Sequence, residues 1–296
     1  MNTSLQLRAF AKINLGLRIL GRRPDSYHEI QTVLQTVRLH DRLELILKKR
    51  DRSIKIFCDV PEIPSGARNL IYRAAAIWRR KRGLSTGVEV RLKKNIPVGS
   101  GLGGASSDAA ATLLGLEKIT GNKLSVSECL QLAAQLGSDI PFFLSGGRAL
   151  ALGRGEEVYP LTDLPMRRCL IVFPNHEIST KEAYQWMSLK LTGLRQPPNI
   201  NCSRKLSPFS LEKWSSVEND FESVVLEKWP ELAHLKRGLL EAGGDPVSLS
   251  GSGSAVYAIF RTARDLKRGL CSVPRGWTAL RTTTLGRTSY KRAQVG

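Results

Sequence analysis

The first twenty residues alternate with unusual regularity. Leu5, Leu7, Ala9, Ala11, Ile13, Leu15, Leu17 and Ile19 are apolar and odd-numbered, while Gln6, Arg8, Lys12, Asn14 and Arg18 stand between them. Period two predicts a strand with one buried face. A turn-rich "GRRPDSYHE" follows, then extended stretches at "TVLQTVRL" and "RLELILKK" and a further strand over "IKIFCDV". The period then changes. Asn69 reads as an N-cap, and Ile71, Ala74, Ala75 and Trp78 fall at i, i+3, i+4 and i+7, predicting an amphipathic helix that stops near Gly83. Val88, Val90 and Leu92 mark a strand that runs into "PVGSGLGGASSDAAA", whose latter part reads as a helix. "SVSECLQLAAQLG" opens on a Ser125–Glu128 capping box and closes at Gly137, predicting a second helix.

Beyond Val158 the texture shifts. A buried strand, "CLIVF", precedes a Ser179–Glu182 capping box, a polar loop over Gly193–Pro208 and helical stretches at Phe221–Trp229 and Pro230–Ala242. "SLSGSGSAVYAIF" is a second glycine loop leading into a strand. The order predicts an α+β protein of two lobes, residues 1–158 and 159–296.

Composition narrows the classes. Five cysteines without a C-x-x-C pair argue for reduced thiols and against zinc. No apolar run approaches the roughly 18 residues of a membrane span, and the amino end lacks the pattern of a signal peptide. A cytoplasmic protein, monomer or weak dimer, without a membrane partner is the expectation. The formal charge of +19 favours polyanionic partners, whether nucleic acid or phosphorylated small molecules.

The glycine loop decides among them. From Gly99 it satisfies G-x-G-x-x-G, yet a helix rather than a strand follows its helix, so the dinucleotide-binding context fails. It also matches a P-loop except that Ala105 stands where the lysine belongs. Gly99, Gly101, Gly103 and Gly104 permit positive φ and leave amides uncovered, and a helix start bearing Ser106 and Ser107 adds a ready anion site. The missing cation must come from elsewhere, with Lys94 and Lys12 as candidates.

These residues resemble the GHMP small-molecule kinases, whose phosphate loop is matched by Pro97, Gly101, Leu102, Gly103, Ser106, Ser107, Ala109 and Ala110. "FAKINLGL" and "LSGSGSAVYAIF" match two further motifs in the right order. "AKINLGLRILGRRPDSYHEI", "GSDIPFFLSGG", "GRGEEV", "PNHEISTKEAY" and "NDFE" resemble the branch that acts on a cytidine-diphosphate-linked polyol; Ser26 departs from it, standing where a glycine is usual. The resemblance implies an amino-terminal lobe like ribosomal protein S5 domain 2, a ferredoxin-like carboxyl lobe, and ATP bound across the glycine loop from Pro97 to Ser107.

It also implies roles. Asp139 is the expected catalytic base, since phosphoryl transfer to an alcohol needs a carboxylate within reach of the attacking hydroxyl. Lys12 would hold that carboxylate ionised, and the alternation puts Asn14 on the same strand face, with Gly16 leaving room. Tyr27 and His28 resemble a cytidine-recognition pair, with Tyr184 as the other side of an aromatic sandwich. Asn69 and Lys94 match positions near adenine, and Gly251 and Gly253 would shape the substrate pocket. Mg²⁺ is expected with ATP, Ser107 being the candidate ligand. A sister kinase of the homoserine or mevalonate type is the second reading, opposed by Tyr27, His28 and Tyr184, and an RNA-binding protein is the rival from another class; without aromatics among the basic clusters, no specific nucleic-acid partner is expected.

Overall fold

A computed structural model describes residues 3–49, 51–174, 176–192 and 218–295, so the loop expected over Gly193–Pro208 lies outside the described residues. Two long antiparallel strands, β1 (Thr3–Arg22) and β2 (His28–Lys48), open the chain. The two extended stretches read separately in the sequence are thus one strand. β3 (Ile54–Cys58), α1 (Leu70–Arg82), β4 (Gly87–Lys93), α2 (Gly104–Thr120), α3 (Val126–Leu136), α4 (Ile140–Ser145), β5 (Arg148–Leu152) and β6 (Glu157–Pro160) follow. The strands form one sheet in the order β3-β4-β2-β5-β6, with β1 paired to β2.

The remainder runs β7 (Arg168–Phe173), α5 (Thr180–Thr192), α6 (Glu222–Lys228), α7 (Pro230–Glu241), β8 (Val247–Leu249), β9 (Val256–Phe260), α8 (Ala263–Cys271), β10 (Thr278–Thr283) and α9 (Arg287–Ala293). Its strands make a second sheet, β10-β7-β9-β8, antiparallel throughout. The architecture is α+β with two sheets.

Local signals explain the helices. Asn69 accepts from the Ile71 amide at 2.8 Å, and Gly83 ends α1 in the left-handed region. Ser125 and Glu128 complete the capping box of α3. The short helices α4, α8 and α9 lie outside the helical stretches that the sequence predicts.

β1 departs from the expectation of one buried face: every residue from Ala9 to Leu17 is buried, polar positions included. The cause lies in its register. The pairing slips between Phe10 and Lys12, and again between Asn14 and Gly16, and such bulges re-aim the side chains that follow. The odd positions consequently serve three cores. Leu7 and Ala9 pack beneath the amino-terminal helices, Ala11, Ile13 and Leu15 pack against the second sheet, and Leu17 and Ile19 join the core of α6 and α7. The final helix crosses back to the first sheet, where Tyr290 Oη donates to the Phe143 carbonyl at 2.5 Å and the Arg8 amide to that of Gln294 at 2.8 Å.

Candidate active site

A cavity of about 1480 Å³ is walled by the glycine loop, β1, the start of β2, α5 and the loop at Gly251. Gly99, Gly101 and Gly103 all take positive φ, at 64°, 79° and 73°. At Gly101 the need is also steric, because a Cβ would stand 2.0 Å from the Ser250 carbonyl oxygen. Glycine therefore lets the two glycine loops touch, and the Ser250 hydroxyl donates to the Gly101 carbonyl at 3.0 Å. Alternating left-handed residues turn amides toward one side, and the first amides of α2, from Gly104 onward, lack intrahelical partners. The loop can cradle an anion with backbone alone.

Lys12 lies between the two β1 bulges, 4% exposed, and its backbone amide donates to the Leu102 carbonyl of the loop at 3.0 Å. Its Nζ donates to Asn14 Oδ1 at 2.6 Å and lies 3.9 Å from Asp139 Oδ2. Asn14 Nδ2 donates to Thr32 Oγ1 at 2.8 Å, and that hydroxyl donates to the Gly16 carbonyl at 2.5 Å. This chain fixes the Asn14 amide with its oxygen toward Lys12. Burial lowers the Lys12 pKa from its ordinary value, and the Asp139 charge offsets part of the fall. Asp139 stands at the N-cap of α4 but makes no capping hydrogen bond, so its carboxylate, about a third exposed, is left to face the cavity.

Lys94 occupies a different setting. Its ammonium contacts Asp41 Oδ2 and lies 3.0 Å from Asp108 Oδ2. Asp41 Oδ1 also accepts from the amides of Asn95 and Ile96, at 2.6 and 2.8 Å. Burial, and then the nearby Asp41 charge, push Asp108 up to about 8, although Lys94 works against them. Against its own burial, Asp108 and Asp41 raise Lys94. The lysine expected to complete the phosphate site is thus already engaged by the carboxyl groups of Asp41 and Asp108. Asn69 lines the cavity while capping α1, its Nδ2 donating to the Pro64 carbonyl at 2.7 Å. Ser106 also lines it; Ser107 is 1% exposed, lies behind the wall, and its hydroxyl finds no partner among the described residues.

The aromatic residues are arranged differently from the expected sandwich. The His28 imidazole stacks directly on Tyr184, with centroids 4.5 Å apart and planes 15° apart, and its Nε2 lies 3.2 Å from Ser188 Oγ. Tyr27 stands outside that stack, 57% exposed, with the Arg154 guanidinium 4.9 Å over its ring. Burial lowers the His28 pKa, helped by Arg22, and raises that of Tyr184, helped by Asp139.

Sequence reasoning assigned no role to Thr32, Asp108 or Asn219. Asn219 Nδ2 donates to the carbonyls of Leu249 and Gly251, at 3.0 and 2.9 Å, and so holds the second glycine loop. Asp108 could have been singled out as a charge among alanines. Nothing marks Thr32 among the strand's polar positions.

Comparison with known proteins now bears on this geometry. Residues 69–147 match the GHMP kinases N terminal domain and residues 205–277 the GHMP kinases C terminal. A protein of Solibacter usitatus named 4-diphosphocytidyl-2-C-methyl-D-erythritol kinase is 42% identical over 270 residues, 89% of this chain and 84% of the relative. The chain belongs to the GHMP kinases. As a GHMP kinase it is a small-molecule kinase, and its fold agrees with solved members. A crystal structure of 4-(cytidine 5'-diphospho)-2C-methyl-D-erythritol kinase, 30% identical, aligns with a TM-score of 0.74 over 95% of this chain and all of that one. Homoserine kinase from Cytophaga hutchinsonii shares the fold at a TM-score of 0.69 and 19% identity, with 97% and 96% of the two chains covered.

Proposed function

We propose that this GHMP kinase transfers the γ-phosphoryl group of ATP to the 2-hydroxyl of 4-diphosphocytidyl-2-C-methyl-D-erythritol, in the non-mevalonate route to isoprenoid precursors. The observation that carries the reading is the Lys12–Asp139 pair at 3.9 Å in a cavity whose wall includes the glycine loop. Asp139 accepts the proton of the attacking hydroxyl. Lys12, fixed by Asn14, stabilises the charge that develops on the oxygens around it. The amides of the loop, together with Pro97, Gly99, Gly104 and Ser106, hold the triphosphate, and Asn69 borders the nucleoside. In this reading residues 1–158 supply the ATP site and residues 159–296 close the cleft with Tyr184 and the loop at Gly251.

The substrate assignment draws support from the 42% identical relative and from the aromatic residues at the cavity wall. A cytosine stacking on Tyr184 takes the face that His28 covers, so the imidazole swings aside and presents a ring nitrogen to the base edge. Each such stack is worth about 1–3 kcal/mol.

Mg²⁺ accompanies ATP in this reading and supplies charge neutralisation when bound. Among the described residues no group of three acidic, histidine or cysteine side chains gathers to hold it, and Ser107 lies behind the wall. The ion would rest on phosphate oxygens.

A coupled ADP-release assay with the cytidylated substrate tests the proposal. Asp139→Ala should lower turnover by about 10²–10⁴-fold while ATP binding persists. Unchanged turnover removes Asp139 from the mechanism, and a wild-type chain inactive on this substrate overturns the substrate assignment.

A further inference from the structure

A second groove, of about 640 Å³, lies away from the catalytic cavity where β2, β7, β10 and α8 meet. Topology brings these elements together: Val37 of β2 bridges Thr284, and the Leu285 amide donates to the Thr36 carbonyl at 2.9 Å. Arg38 and Arg42 come from β2, Arg168 from β7, Lys267 from α8 and Arg281 from β10, and no acidic residue lines the groove. Arg168 pairs across the sheet with Thr283, and Arg281 is two residues before Thr283 on the same face.

Like charges gathered in this way repel one another unless something answers them. None of the five cations is ion-paired among the described residues. The acids nearest in sequence are turned elsewhere: Asp41 to Lys94, and Asp265 to Thr262 and Arg268. Thr282 and Thr283 of β10 also line the groove. Four of the five cations are arginines, whose planar forks fit phosphate oxygens in pairs. The volume lies within the roughly 300–1,000 Å³ of small-molecule sites.

We propose that this groove is a binding site for a compact polyphosphate anion, separate from the ATP site. Inorganic tripolyphosphate is the probe. Calorimetry on the full chain, with the catalytic cavity first saturated by a non-hydrolysable ATP analogue, should reveal one further tripolyphosphate site. Arg168→Ala combined with Arg281→Ala should weaken it at least tenfold and leave kinase turnover unchanged. Three outcomes overturn the proposal: no binding to the analogue-saturated protein, equal affinity in the double variant, or equal affinity for sulfate. Single-stranded RNA binding more tightly than tripolyphosphate through the same two arginines also overturns it, in favour of a nucleic-acid surface.

Discussion

Two lysines border the same phosphate loop, and their surroundings push them in opposite directions. Lys12 is buried beside one carboxylate, Asp139, at 3.9 Å, with a neutral amide as its hydrogen-bond acceptor. Burial dominates there, and its pKa falls. Lys94 touches two carboxylates in direct contact, and its pKa rises despite burial. One partner at nearly 4 Å does not offset desolvation, whereas two at hydrogen-bond distance do. The first arrangement leaves a cation with charge to spare for a substrate; the second closes a cation within the fold. A P-loop keeps its lysine inside the motif, and here Lys12 on β1 is better placed than Lys94 for that work.

The sharpest way to break this comparison is to remove each charge separately. Lys94→Met strands Asp41 and Asp108 in the interior, and losing one partner of a buried pair costs about 3–5 kcal/mol. Chemical denaturation should register that loss, and a stability within 1 kcal/mol of wild type, on the order of ordinary surface substitutions, would contradict the structural role. Lys12→Met removes a charge that burial already disfavours, so stability should hold or rise. Turnover in the ADP-release assay should instead fall about 10²–10³-fold. Should Lys12→Met unfold the chain while Lys94→Met merely slows it, the assignment is reversed.

Titration sharpens the contrast further. Asp108 has a folded pKa of about 8 against an ordinary value near 3.8. Its unfolded form is ionised above roughly pH 4 while the folded form keeps its proton, so the folded state binds more protons across that window. Stability from this group is fully present below pH 4 and is lost as pH rises through about 8, by up to about 1.4 kcal/mol per unit. Asp108→Asn carries no such titration. Its melting temperature relative to wild type should climb from pH 5 to pH 8 and level off above that. A difference that stays flat with pH would place the proton elsewhere in the cluster.

Much of this was legible in the sequence, for physical reasons that differ by element. Caps and periodicity located α1 and α3 because their signals are local. Spacing put Lys12 and Asn14 on one face, and they are in fact hydrogen-bonded at 2.6 Å. The burial of both faces of β1 was not legible, because it depends on bulges and on a second sheet supplied by residues far along the chain. The same holds for Lys94: its partner Asp41 is 53 residues away in sequence, and only the β2–β4 pairing brings them together. The His28–Tyr184 stack likewise joins residues of different sheets' surroundings, so residue types suggested aromatic recognition without indicating which rings would touch.

The smallest expected effect isolates stability from chemistry at the tip of the hairpin that carries both systems. β1 brings Lys12 and β2 brings Asp41, and the turn between them contains Ser26 at φ 69°. Among the described residues it is the one non-glycine residue with positive φ. A side chain in the left-handed region costs roughly 1–2 kcal/mol, from which glycine's greater freedom when unfolded subtracts about 0.5–1 kcal/mol. Ser26→Gly should therefore stabilise the chain by about 0.5–1 kcal/mol in denaturant titration. Because among the described residues no hydrogen bond joins the Ser26 side chain to Lys12 or Lys94, the pH dependence attributed to Asp108 should be unchanged in this variant. A gain in stability with an unaltered pH profile would show that the turn and the buried charges contribute independently. A profile that shifts with Ser26→Gly would mean that the hairpin tip sets the register on which both lysines depend.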